Sequence, residues 1–106
     1  MPRDEFIAYY ENNHVPLILR HMPQIVDYRR NYVKLDTIYG GDGNAELDFD
    51  VVTEFCFDNK EEYDSANLIF NMPDVLSEII QDEEQFLDRD KTRLFVVEEH
   101  ASKFDL

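Results

Sequence analysis

The sequence predicts an α+β domain in which an antiparallel sheet carries helices on one face. Segments with apolar residues at helical spacing alternate with segments in which apolar residues recur at every second position. The predicted order is helix, strand, strand, helices, strand. The length of 106 residues fits one domain, and no linker or repeat divides it, so we expect a single domain over 1–106.

The first predicted element is an amphipathic helix over residues 3–14. Phe6 and Tyr10 recur at helical spacing on its apolar face. Pro16 lacks an N–H and disfavours helix at the residue before it. We therefore expect the helix to end or kink just after His14, with a second helical piece over 17–22.

Two predicted strands follow, joined by a loop. Residues 25–35 alternate apolar or aromatic with charged side chains, and residues 50–57 are rich in β-branched and aromatic residues. All three glycines of the chain, at positions 40, 41 and 43, lie between these strands. Glycine adopts positive φ without steric cost, so this segment is predicted to be a loop.

The remaining elements complete the fold pattern. Helical spacing covers residues 60–70 and 74–87, and an apolar β-type run covers 92–99. The order is that of a ferredoxin-like βαββαβ unit without its first strand. That strand lies inside the sheet in the complete unit, so we expect it to precede Pro2 and Met1 to be an internal start.

Charge and composition exclude several functions. The chain has 24 acidic and 10 basic side chains, a net charge of −14, so a nucleic-acid or anionic-membrane partner is not expected. Residues 1–36 are electroneutral, and the excess lies in 37–106. A solvated surface explains this excess best; steering of a cationic ligand is the alternative.

Cellular location is predicted from cysteine and hydropathy. Cys56 is the single cysteine, so no internal disulfide can form, which is typical of a reducing compartment. No apolar run approaches the length of a membrane span, and no basic and apolar leader opens the chain. We therefore expect a cytoplasmic protein. Cys56 itself, between two phenylalanines, is expected to be an inert thiol.

The segment PRDEFIAYYENNHVPLI, residues 2–18, resembles the opening helix of the EthD family of small dimeric α+β barrel proteins. Residues 28–31 are similar to the family's second strand, and 49–58 to its third. Residues 82–88 resemble the acidic stretch before its last strand. The resemblance covers nearly the whole chain, with Cys56 standing where an aromatic residue is usual.

The resemblance implies a homodimer whose sheets close a barrel, with an apolar cavity for a small aromatic or hydrophobic ligand. It implies a decarboxylase-, dehydratase- or oxidoreductase-like enzyme that needs no cofactor. The alternative is a non-catalytic protein that carries a hydrophobic intermediate for a partner oxygenase. No dinucleotide fingerprint occurs in the sequence. His14 and His21, seven positions apart, are too few for a metal site without a carboxylate ligand.

Three residues are candidate catalytic groups: His14, Glu54 and Asp82. The unperturbed pKa of histidine suits proton transfer at neutral pH, so His14 is the predicted general acid/base; capping of a helix end is the alternative. Asp82 or Asp88 could orient the imidazole, although such residues more often cap helices or lie in solvent. The Phe-rich face of strand 50–57 is expected to meet the helices.

With the Phe-rich face of strand 50–57 against the helices, Glu54 would face the barrel. An apolar cavity there disfavours the charged form of the Glu54 carboxyl. An exposed or ion-paired Glu54, with Arg30 or Arg93 as partner, is the alternative. Tyr10, Tyr28 and Tyr32 are the candidate ligand-binding residues, because a cavity-lining tyrosine can hydrogen-bond a phenolic ligand. Tyrosines at such spacing also serve as core or interface residues.

Overall fold

The structure, a computed structural model, describes residues 1–41 and 46–103. Helices open the chain, two strands follow, and two helices come after them. The elements are α1 (Arg3–Tyr9), a π-helical segment (Tyr10–His14), α2 (Val15–His21), β1 (Ile25–Tyr32), β2 (Val51–Phe57), α3 (Lys60–Phe70) and α4 (Pro73–Glu83). This α+β arrangement is the predicted fold class, with a two-stranded sheet that is not closed.

The strands β1 and β2 pair in antiparallel register. Arg30 lies opposite Thr53, and Tyr28 lies opposite Phe55 with the ring centroids 4.6 Å apart. Thr53 points toward the helices, because its hydroxyl shares a hydrogen bond with that of Tyr10. Successive side chains of a strand alternate between the two faces, so Glu54 lies on the face away from the helices. The Phe-rich face of β2 therefore meets the helices, as the sequence predicts.

The hydrophobic core joins α2, α3 and α4. Its buried members are Leu17, Ile18, Met22, Ala66, Val75 and Ile79. Ile79 and Ala66 are each 1% exposed, which marks the closest packing between α3 and α4. Tyr28 and Phe57 pack against this cluster from the sheet. Burial of one helix stripe against one sheet face positions the N-terminal helices over β1.

The sequence predicts that the helix ends or kinks just after His14, and the structure shows that it does not end there. Val15 has helical torsions, φ −59° and ψ −50°, and its N–H donates to the carbonyl of Tyr10, five residues back. A proline ring clashes with the carbonyl four residues before it, and its missing N–H leaves that carbonyl unpaired. The wider π turn accommodates both effects, so the chain continues from α1 into α2.

The strand predicted over residues 92–99 is also not formed. Leu94, Phe95 and Val96 are 78%, 78% and 77% exposed and belong to no helix or strand. In a ferredoxin-like sheet the last strand pairs with the first one, and the described residues contain no strand ahead of α1. Residues 92–99 therefore have no first strand to pair with among the described residues, and they do not join the β1–β2 sheet.

The glycine-rich loop agrees with its prediction where the structure describes it. Gly40 and Gly41 have φ of 116° and 63°, which side chains rarely tolerate. Gly43 lies outside the described residues.

Candidate functional site

His14 lies at the end of the π-helical segment and is 5% exposed, although it is a polar residue. Because the helix continues past it, His14 does not cap a helix end. Its imidazole is held among aromatic rings, with centroid distances of 4.9 Å to Phe86 and 5.5 Å to Tyr10. A buried polar side chain requires a hydrogen-bond partner, and the fold supplies one.

That partner is Asp82, in the last turn of α4. Its Oδ2 lies 2.8 Å from Nδ1 of His14, across 68 positions of sequence. The side chain of Asp82 is 17% exposed. A carboxylate at Nδ1 keeps the proton of a neutral imidazole on that nitrogen, which leaves Nε2 as a base. The predicted pairing of His14 with Asp82 is thus present in the structure.

Asp82 has a second partner that the sequence does not indicate. The hydroxyl of Tyr9 donates to Oδ1 of Asp82 at 2.6 Å. This hydrogen bond is the main reason that the pKa of Tyr9 is raised to about 12. The three side chains come from α1, the π-helical segment and α4, so the site exists only when these elements pack together.

A second polar group connects the π-helical segment to β1. Arg30 donates to both carboxylate oxygens of Glu11, with Nε 2.9 Å from Oε2, and Tyr32 donates to Oε2 at 2.5 Å. The bond from Arg30 holds the pKa of Glu11 below its ordinary value. The guanidinium also lies 4.8 Å from the ring centroid of Tyr28. These contacts fix the orientation of the segment that carries His14.

The three candidate binding tyrosines lie on one side of the sheet, beneath the helices. Tyr10 is buried and shares a 2.8 Å hydrogen bond with Thr53, and its ring lies 6.0 Å from that of Tyr32. The hydroxyl of Tyr28 is buried and forms no hydrogen bond of normal distance and angle among the described residues. Burial is the main cause of its raised pKa, and the nearby hydroxyl of Tyr10 raises it further. The structure therefore brings Tyr10, Tyr28 and Tyr32 to one side of the fold.

Glu54 and Asp88 lie away from this group. Glu54 is exposed on the opposite face of the sheet, where it accepts from Nδ2 of Asn31 at 3.3 Å and pairs in register with Arg29. Asp88 is exposed at the start of a short 3₁₀ turn. Within one chain, therefore, Asp82 is the candidate carboxylate that meets His14.

Sequence reasoning missed three contributors to the site: Tyr9, Glu11 and Phe86. Phe86 lies near the end of the helix predicted over 74–87, and its ring packs on Tyr9, Tyr10 and His14. Glu83 lies in the same region, and burial raises the pKa of its carboxyl. No simple spacing rule connects a helix near residue 10 with one near residue 82. Tyr9 lies in the predicted helix over 3–14, but at 3.6 residues per turn it points away from His14, so helical spacing did not indicate their shared partner.

A surface groove opens beside Tyr32. It has a volume of about 630 Å³ and is lined by Arg3, Tyr32, Lys34, Leu35 and Asp36. Over the described part of the chain, His, Cys, Asp and Glu form no group of three that could hold a metal ion. In residues 1–41 and 46–103 no helix is long and apolar enough to cross a membrane.

Comparison with known families identifies the fold group. The family model described as EthD domain matches residues 1–90, which is most of the chain. No curated protein and no solved structure matches the chain. The match includes the helices that carry Tyr9 and His14, the β1–β2 sheet and the α4 helix that carries Asp82. The chain belongs to the EthD domain family.

Proposed function

We propose that this protein is an enzyme that acts on a small aromatic or hydrophobic substrate without a cofactor, with His14 as general acid/base. The observation that carries the proposal is the buried hydrogen bond between His14 and Asp82. With the proton held on Nδ1, Nε2 can remove a proton from a substrate. The Asp82 carboxylate then stabilises the imidazolium that forms.

Proton transfer at Nε2 fits two of the reactions that the family resemblance implies. In a dehydration, Nε2 takes a proton from carbon beside a carbonyl and returns it to the departing hydroxyl as water. In a decarboxylation, the imidazolium donates its proton to the carbon that loses carbon dioxide.

Substrate binding is assigned to Tyr10, Tyr28 and Tyr32. Aromatic rings favour a flat apolar ligand, and the buried hydroxyl of Tyr28 offers one unused hydrogen bond. The role first assigned to Glu54 depends on a second subunit covering the outer face of the sheet.

The test is the activity of His14→Gln, compared with His100→Gln, in which an 84% exposed histidine is replaced. Hydroxylated aromatic carboxylic acids and β-hydroxy ketones serve as substrates, with products followed by mass spectrometry. We expect His14→Gln to lose about a hundredfold or more in kcat, since general acid–base catalysis contributes about 10²–10⁴-fold. Full activity in His14→Gln would reject the assignment.

The second candidate function is that of a non-catalytic carrier of a hydrophobic intermediate for a partner oxygenase. The unpartnered hydroxyl of Tyr28 among aromatic rings favours the carrier function, because a polar group in apolar surroundings can bind a ligand without reacting with it. A carrier binds 2-naphthol equally well in His14→Gln and turns over no substrate. Turnover that depends on His14 would decide for the enzyme.

A further inference from the structure

The carboxylate of Asp82 uses both of its oxygens. Oδ1 accepts from the hydroxyl of Tyr9 at 2.6 Å, and Oδ2 lies 2.8 Å from Nδ1 of His14. An aspartate with one partner can rotate about its terminal torsion, which is broad for a carboxylate. Two donors, one on each oxygen, hold the carboxylate plane in one orientation. That orientation determines where the imidazole of His14 points.

Tyr9 is itself held in place. Its ring lies 5.2 Å from that of Phe86, and Phe86 also packs on His14 at 4.9 Å. Hydrogen bonds from a hydroxyl to a charged carboxylate are short and stronger than neutral ones. Because the pKa of Tyr9 is raised to about 12, the hydroxyl keeps its proton near neutral pH and remains a donor.

The π-helical segment explains how Tyr9 and His14 reach the same carboxylate. The two residues are five positions apart. At 3.6 residues per turn, such residues point about 140° away from each other around a helix. In the segment Tyr10–His14 the wider turn, closed by the bond from Val15 N–H to the Tyr10 carbonyl, brings residues five apart toward one face.

We propose that Tyr9 is a positioning residue that holds Asp82 and, through it, the tautomer and orientation of His14, and that the π-helical turn is what allows this. This inference rests on the proposed role of His14. Tyr9 acts through Asp82 and is not assigned contact with a substrate.

The test is Tyr9→Phe, which keeps the ring against Phe86 and removes only the hydroxyl. Imidazole ¹⁵N and ¹H NMR reads the tautomer of His14 directly. We expect the wild-type spectrum to show one tautomer, with the proton on Nδ1, and the spectrum of Tyr9→Phe to move toward a mixture of tautomers. We also expect kcat to fall about tenfold at unchanged KM, the lower end of the roughly 10–100-fold loss typical when a residue that orients a metal-binding histidine is removed.

The matched control is Tyr39→Phe, which removes the hydroxyl of an 88% exposed tyrosine and should leave His14 unchanged. An unchanged His14 spectrum in folded Tyr9→Phe overturns the inference. If that variant does not fold, Asp82→Asn decides, because the ring signals of both Tyr9 and His14 must then shift together. A Tyr9 signal that stays in place in Asp82→Asn also overturns it.

The spectra do not depend on turnover, so this inference and the proposed function fail separately. Activity that survives His14→Gln rejects the function and leaves the tautomer result intact. A His14 spectrum indifferent to Tyr9 rejects the positioning role and leaves the function open to its own test.

Discussion

At the scale of single residues, two buried polar side chains of this site differ in whether they have a hydrogen-bond partner. His14 is 5% exposed yet has a carboxylate partner, whereas the buried hydroxyl of Tyr28 has none among the described residues. A buried polar group without a partner loses its hydrogen bonds to water and gains nothing in return. The cost at Tyr28 is consistent with a group kept for binding a ligand.

We predict that Tyr28→Phe stabilises the protein while weakening ligand binding. Removing the unpartnered hydroxyl should raise the free energy of unfolding by about 1 kcal/mol. Urea denaturation measures the first effect, and titration with 2-naphthol measures the second. Tyr39→Phe is the control and should change neither. Lower stability in Tyr28→Phe would mean that its hydroxyl has a partner in solution.

Glu11 is predicted to stabilise the fold in a pH-dependent way. Arg30 and Tyr32 donate to the carboxylate, so its pKa is lower in the folded protein than in the unfolded chain. The stabilisation is therefore complete above the unfolded pKa of about 4.3 and is lost as the pH falls through the lower folded value.

Glu11→Gln tests this contribution through the free energy of unfolding between pH 3 and pH 7. The glutamate side chain is 35% exposed, so the expected loss at pH 7 is only about 1 kcal/mol. The difference between wild type and Glu11→Gln should narrow steadily below about pH 4. A difference that is the same at every pH would contradict the role of the carboxylate charge.

At the scale of secondary-structure elements, the helix starts are readable from sequence and the π turn is not. Asn59 begins α3 and Pro73 begins α4, two residue types that are favoured at helix starts. Pro16 is also a local signal, which predicts an end or a kink of the preceding helix, yet the chain is helical on both sides of it. Packing of α2 against α4 outweighs the local preference of proline, and the π turn absorbs the misfit.

Asn59 is predicted to contribute about 1 kcal/mol to stability as the cap of α3. Its side-chain oxygen accepts from the N–H of Glu62 at 2.9 Å. Asn59→Ala leaves that N–H without a partner, while Asn59→Asp retains an acceptor. Thermal unfolding should show a lower Tm for Asn59→Ala and little change for Asn59→Asp. Equal losses in both variants would exclude capping as the cause.

At the scale of the whole molecule, the sheet leaves an apolar side chain on its outer face. Val52, two residues before Glu54 in β2, is 46% exposed there. The helices cover the other face, where Tyr10, His14 and Tyr28 lie. Family resemblance implies that a second copy covers the outer face, and this remains a proposal for the present chain.

We predict that the protein is a homodimer that pairs through the outer face of the sheet. Light scattering after size exclusion should give about twice the chain mass of 12.6 kDa. Val52→Glu places a charge on that face and should give the mass of a single chain. Leu68→Glu, at a 73% exposed position of α3, should remain a dimer. A monomeric wild-type protein would reject the dimer.

Local patterns in the sequence determined the fold class, the two described strands, helix α3, and His14 and Asp82 as candidate site residues. These depend on periodicity and residue chemistry, which act over a few neighbouring positions. The strand predicted over 92–99 is not formed, because a strand also needs its pairing partner and the described residues contain no first strand. The family assignment likewise follows from the sequence, since the model matches residues 1–90.

Only the tertiary structure decided which acidic residue meets His14. The chain contains 24 acidic side chains, and the sequence left both Asp82 and Asp88 open as partners of the imidazole. Asp82 reaches the imidazole because α4 packs beside the π-helical segment, across 68 positions, while Glu54 lies on the other face of the sheet. Contacts between distant segments depend on the burial of whole helix and sheet faces, which no local pattern encodes.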